Sequence, residues 1–86
     1  MVRPRVSWMR QVDNRILETL EESGIILSPR ILSVNTDYSR HYVSERLPRL
    51  LEAGLVEKVD DGLYQITDRG RAYLAGDLDA EDLEDE

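Results

Sequence analysis

The residues best suited to specific chemistry lie together between Ser39 and Arg49, in "SRHYVSERLPR". Arginine presents a planar fork of donors that fits the O6 and N7 acceptors of guanine. Glutamate accepts from the amino group of cytosine, and an imidazole or phenol can hydrogen-bond or stack on a base. Arg40, His41, Tyr42, Glu45, Arg46 and Arg49 supply that set, and three arginines against one glutamate give the stretch a formal charge of +2. Ser39, Arg40 and the free N–H groups of a first helical turn suit a phosphate. Catalysis is far less well provided for. The chain has one histidine and no cysteine, with no glycine-rich phosphate loop and no spaced set of metal ligands. We therefore expect no active site, no metal and no cofactor.

The element that must position these groups is a helix running from a Ser39 cap to about Ala53 and closed by Gly54. Val43, Leu47, Leu50 and Leu51 fall on one side of it, which is its expected core face. His41, Tyr42, Glu45, Pro48, Arg49 and Glu52 fall on the opposite arc, with Arg46 on the flank. Pro48 removes the N–H that would bond the Ser44 carbonyl. The apolar phase is nevertheless the same on both sides of it, so one helix bent at Pro48 is expected. Two groups have an alternative reading. Tyr42 either meets a base or packs beside the helix, and Glu45 either meets a base or pairs with Arg49 four residues on.

Around that helix, Trp8, Val12, Ile16, Leu17 and Leu20 make an apolar stripe on a first helix, about Ser7 to Ser23, capped by Ser7 and ended by Gly24. "GIIL" reads as a brief strand. "SPRILSVN" reads as a two-turn helix with Ser28 as cap, Pro29 at its first position and Asn35 as its stop. "LVEKVDDGLYQIT" has two β-favouring arms around Asp61-Gly62, a hairpin signal. Thr67 can cap a last helix, "DRGRAYLA", before Gly76.

The net charge of −7 has a definite location. The last ten residues, "DLDAEDLEDE", contain seven acids and no base, so residues 1–76 carry eleven acids against eleven bases. The acidic balance thus belongs to a tail, expected to be disordered or a frayed helix, while the body is neutral. Ten of the eleven bases are arginine, a bias that suggests a salt-adapted, haloarchaeal proteome. No apolar run is long enough to span a bilayer and no secretory leader is evident, so a soluble cytoplasmic protein without a membrane partner is expected.

Taken together, "DYSR..V..RL..L...GLVE" running into "DDGLYQITDRGRAYLAG" resembles the winged helix-turn-helix family of DNA-binding regulators, and within it the haloarchaeal branch named after the halophage phi-H repressor. The resemblance covers about Val12 to Gly76. It implies an α+β, mostly α, fold: a three-helix core with a short strand and a β-hairpin wing, plus a C-terminal helix. The implied organisation is an N-terminal arm at 1–6, a DNA-binding domain at 7–76 and the acidic tail at 77–86. The implied activity is sequence-specific binding of double-stranded DNA by a transcriptional regulator, a repressor, that reads the major groove with the helix at about 39–53. A winged-helix module for protein–protein contact is the alternative. Lys58 is the one base on the wing, and Asp60 and Asp61 at its tip suggest a weak wing contact with DNA. Arg3 and Arg5 mark an N-terminal segment that is either a DNA-binding arm or disordered.

A module this small reads few base pairs, so a homodimer on a two-fold site is expected. Its candidate interface is Val6, Trp8, Met9, Tyr73, Leu74 and Leu78. No small-molecule effector is evident from the sequence.

Overall fold

The computed structural model describes residues 3–24 and 26–84. Among the described residues, four helices and one hairpin follow one another: α1 (Gln11–Ser23), α2 (Pro29–Thr36), α3 (Arg40–Glu52), β1 (Val56–Asp60), β2 (Leu63–Ile66) and α4 (Asp68–Ala75). A single 3₁₀ turn at Ala80–Asp82 comes last. The order of helices and hairpin is the one that the resemblance implied, mostly helical, with one two-stranded antiparallel sheet among the described residues. Among the described residues no helix is long and apolar enough to cross a membrane.

The first helix begins four residues later than its apolar stripe suggests. The Asp13 carboxylate accepts the Arg10 backbone N–H at 2.9 Å, so Arg10 occupies the cap position. Ser7 is used elsewhere, donating from both its N–H and its hydroxyl to Glu84. α2 is capped by Ser28, as expected, but runs past Asn35 to Thr36. Asp37 ends it with φ 65°, a left-handed conformation that a short polar side chain tolerates. The buried Thr36 hydroxyl donates back to the Leu32 carbonyl. Tyr38 and Ser39 then turn the chain directly into α3, whose Ser39 hydroxyl accepts from the Tyr42 N–H at 3.1 Å. α3 continues as one helix through Pro48.

Among the described residues, the segment expected to be a strand at "GIIL" makes one bridge. Leu27 exchanges both backbone hydrogen bonds with Tyr64, at 2.8 and 2.9 Å, and so adds a third short rung beside β2. Ile25 of that segment lies outside the described residues. The hairpin pairs Val56 with Ile66 and Lys58 with Tyr64, and a register shift before Asp60 twists its tip. Gly62 takes φ 70° in the Asp61-Gly62 turn.

One core joins all elements. Val12, Ile16, Leu17 and Leu20 of α1 meet Leu32 of α2 and Val43, Leu47 and Leu50 of α3, with Leu55, Val56, Ile66 and Tyr73 closing the other side. Gly70 is where α4 crosses the wing. A Cβ there would collide with the Leu55 carbonyl oxygen and come within 2.6 Å of Ile66 Cγ1.

Both chain ends pack against the body. Arg3 pairs with Glu18 at 2.6 Å and donates to the Leu74 carbonyl, and Val6 is buried, so residues 3–6 lie on the body. Burial pushes the Glu18 pKa up, but Arg3 and Arg15 together hold it below its ordinary value. The acidic segment beyond Gly76 also lies on the body, through contacts of Asp82, Leu83 and Glu84. Its anchor is Leu83, which is only 4% exposed and joins the core. Asp85 and Glu86 lie outside the described residues, as do Met1 and Val2.

Candidate nucleic-acid interface

α3 divides into an inner and an outer face. Val43, Leu47 and Leu50 point into the core, leaving Arg40, His41, Ser44, Glu45, Pro48 and Glu52 exposed on the other side. Arg40, in the first turn next to the exposed Ser39 cap, has no hydrogen-bond or ion-pair partner among the described residues. His41 Nε2 lies 3.3 Å from Glu45 Oε1, and both side chains are largely exposed. Glu45 therefore meets His41 one turn back.

Arg46 and Arg49, expected on or beside this outer face, are committed to the body. Arg46 makes a two-pronged pair with Asp13, Nε to Oδ1 at 2.9 Å and Nη2 to Oδ2 at 2.7 Å, and also donates to the Trp8 carbonyl at 3.1 Å. Asp13 is fully buried and the Arg46 side chain is 16% exposed. Hydrogen bonding to Asp13 outweighs burial and raises the Arg46 pKa above its ordinary value. The Arg49 guanidinium lies over the Trp8 ring, 4.0 Å from its centroid, and 3.7 Å from Glu52. The reason is rotational. Positions 46 and 49 sit on the flank turned toward α1 and the turn before it, where Asp13 offers a carboxylate and Trp8 an aromatic face.

Tyr42 is half-buried and meets Tyr38 edge-on, with ring centroids 5.8 Å apart. On the wing, Lys58 turns back to Asp61 at 3.3 Å, leaving an acidic tip flanked by the exposed apolar side chains of Val59 and Leu63.

The six residues expected between subunits all touch the chain's own core, two of them buried. Val6 and Tyr73 are core residues, and the Tyr73 hydroxyl donates to Asn14 Oδ1 at 2.6 Å. Trp8, Met9, Leu74 and Leu78 are half-buried against the same core. The large apolar side chains that are exposed among the described residues lie elsewhere: Ile26, Ile31, Val34, Val59 and Leu63. An open groove of about 420 Å³ between α1 and α2 is lined by residues that include Thr19, Leu27, Ile31 and Asn35.

Two outward residues escaped the sequence reading. Ser44 shares the face of Arg40 and His41, and the 3.6-residue period alone places it there. Arg30, exposed in the first turn of α2 and without a partner among the described residues, belongs to the helix that crosses the phosphate backbone in helix-turn-helix proteins.

The profile of the winged helix-turn-helix phage repressor family matches residues 2–86. The chain belongs to that family. It is 36% identical over 84 residues to the repressor protein of Halobacterium phage phiH, covering 93% of this chain and 94% of that one. Its fold superimposes on the crystal structure of the PhiH1 repressor-like protein from Haloarcula marismortui with a TM-score of 0.85 at 38% identity, over 93% of this chain and 92% of the other. The family match runs through the acidic C-terminal segment as well as the winged-helix body. The domain is thus a repressor-like member of a class of DNA-binding regulators.

Proposed function

We propose that the protein is a sequence-specific double-stranded DNA-binding repressor in which the outer face of α3 enters the major groove. The observation that carries this reading is the unpaired Arg40 beside Ser39, His41, Ser44 and Glu45 on the exposed side of a short helix that follows α2 across a tight turn. Arg40 supplies the fork for a guanine or a phosphate. His41 and Glu45 offer a donor and an acceptor to base edges once their mutual contact opens. Arg30 and the first turn of α3 serve as phosphate anchors.

With Arg46 neutralised by Asp13 and Arg49 laid on Trp8, the +2 of this stretch does not reach the outer face. Affinity then depends more on base contacts than on counterion release, which suits a salt-rich cell where the Debye length is about 3 Å at 1 M. The wing, with Lys58 drawn to Asp61, adds little to DNA binding. Two copies on a two-fold site would give useful specificity, with Ile26, Ile31 and Val34 the exposed apolar surface available for their contact. Sedimentation at several concentrations tests that pairing, and a strict monomer on and off DNA would refute it.

The acidic wing tip with Val59 and Leu63 beside it favours a second reading, a protein-binding module. Selection from random duplexes at low and molar potassium salt separates the two. The DNA reading expects an enriched sequence, and no enrichment at any salt would leave the protein-binding reading.

A further inference from the structure

We propose that the acidic C-terminal segment, Asp79 to Glu84, is a strap that positions α3 through Trp8; the inference rests on the reading of α3 as the DNA-contacting helix. The strap is held at four points. Leu83 is buried, and the carbonyl of Leu83 accepts the Trp8 indole N–H at 2.6 Å. The Asp82 carbonyl accepts from Arg69 at 2.6 Å. The Glu84 carboxylate takes both donors of Ser7, at 2.8 and 2.7 Å.

Trp8 passes this anchorage to α3. Its ring lies under the Arg49 guanidinium, and its backbone carbonyl accepts from Arg46, which is itself clamped to Asp13. One residue therefore grips α3 at two positions three residues apart, and the strap fixes the orientation of that residue's ring. Rotation of α3 about its axis would carry Arg40, Ser44 and Glu45 off their targets together. Base reading tolerates roughly 0.5 Å and 10–20° of misplacement, so a loosened grip costs specific binding before it costs the fold.

The sign of the effect separates this role from a purely electrostatic one. The segment beyond Gly76 carries seven carboxylates. If its charge were what mattered, removing it would strengthen binding to a polyanion. Positioning predicts the opposite for the specific duplex.

Four variants test this by fluorescence and by duplex affinity at fixed salt. Leu83→Ser undocks the strap and keeps every carboxylate, Leu83→Met keeps it docked, truncation after Gly76 removes it, and Asp77→Asn with Glu81→Gln lowers its charge alone. Trp8 is the sole tryptophan, so its emission reports directly on the strap. Leu83→Ser is expected to shift that emission to the red and to weaken specific binding by roughly fivefold or more, the scale of one lost buried hydrogen bond. Its non-specific binding should be unchanged. Leu83→Met restores both signals, the truncated chain loses specific affinity despite its lower charge, and the charge-lowered variant loses none. Should truncation unfold the chain, Trp8→Phe carries the comparison, since it keeps a ring for Arg49 and removes the donor to Leu83. Wild-type protein that selects a duplex, with equal or tighter binding in Leu83→Ser and the truncated chain, overturns the strap alone. Wild-type protein that selects no duplex overturns the reading of α3 on which it rests.

Discussion

Arg46 separates a structural role from a base-reading role within one side chain. Replacing it with alanine leaves the Asp13 carboxylate fully buried, with the Arg10 N–H as its remaining partner among the described contacts. Removing one partner of a buried ion pair costs about 3–5 kcal/mol, because the other charge stays out of water. At roughly 0.05–0.15 kcal/mol per residue, a domain of this length has about 4–13 kcal/mol in all, so the loss is a large share of its stability. With a urea m-value of about 1 kcal/mol/M, the unfolding midpoint falls by about 3–5 M or the chain unfolds outright. Asp13→Leu combined with Arg46→Met removes both charges and is expected to return stability to within about 1 kcal/mol of wild type, the lost Arg10 cap offsetting part of the gain. Urea unfolding followed by circular dichroism measures both. An exposed base reader would behave differently, with Arg46→Ala changing stability by under about 0.5 kcal/mol while abolishing preference at one base pair. That result would refute the assignment of Arg46 to the body.

Further outcomes follow from other contacts. Pro48→Ala restores an N–H for the Ser44 carbonyl on an exposed face and should stabilise the domain by about 1 kcal/mol, up to the ~3 kcal/mol that an interior proline costs; an unchanged urea midpoint would show that α3 accommodates Pro48 without penalty. Gly70→Ala drives a methyl group into Leu55 and Ile66 and should destabilise by about 1–3 kcal/mol, read by thermal melting against the exposed control Ala75→Gly. Burial raises the Tyr73 pKa above its ordinary 10.0, against the opposing charge of Arg3. The unfolded tyrosine therefore ionises first, and the stability that Tyr73 contributes is present below pH 10 and lost as pH rises through the folded value. The difference in midpoint between wild type and Tyr73→Phe should shrink over that window, and a constant difference would contradict it.

Local chemistry made much of this fold readable before any coordinates. Ser28, Ser39 and Thr67 each accept an N–H at the start of the helix they were expected to cap, and Asp61-Gly62 makes the expected hairpin turn. These signals act over three or four residues, so a sequence displays them. Partners distant in sequence are another matter. Arg46 and Asp13 are 33 residues apart, and Trp8 and Leu83 are 75 apart. Nothing in the helical period reveals that a flank position finds a buried carboxylate, so Arg46 read as an exposed cation. In the same way, Ser7 looked like a helix cap until Glu84 claimed its donors, and Val6 and Tyr73 looked like surplus apolar surface until the core absorbed them. In the first turns of α3, governed by the Ser39 cap, the helical period places Arg40, His41 and Glu45 outward, and there they are exposed.

The central claim is that the exposed side of α3 reads DNA through Arg40, His41 and Glu45. The most direct measurement is duplex selection with wild type and with Arg40→Ala in parallel, at molar potassium salt. The account predicts an enriched sequence for wild type and, for Arg40→Ala, a loss of about 1–3 kcal/mol with relaxed preference at a defined position. A wild-type protein that enriches nothing, or an Arg40→Ala variant with the same affinity and the same preferred sequence, would contradict it.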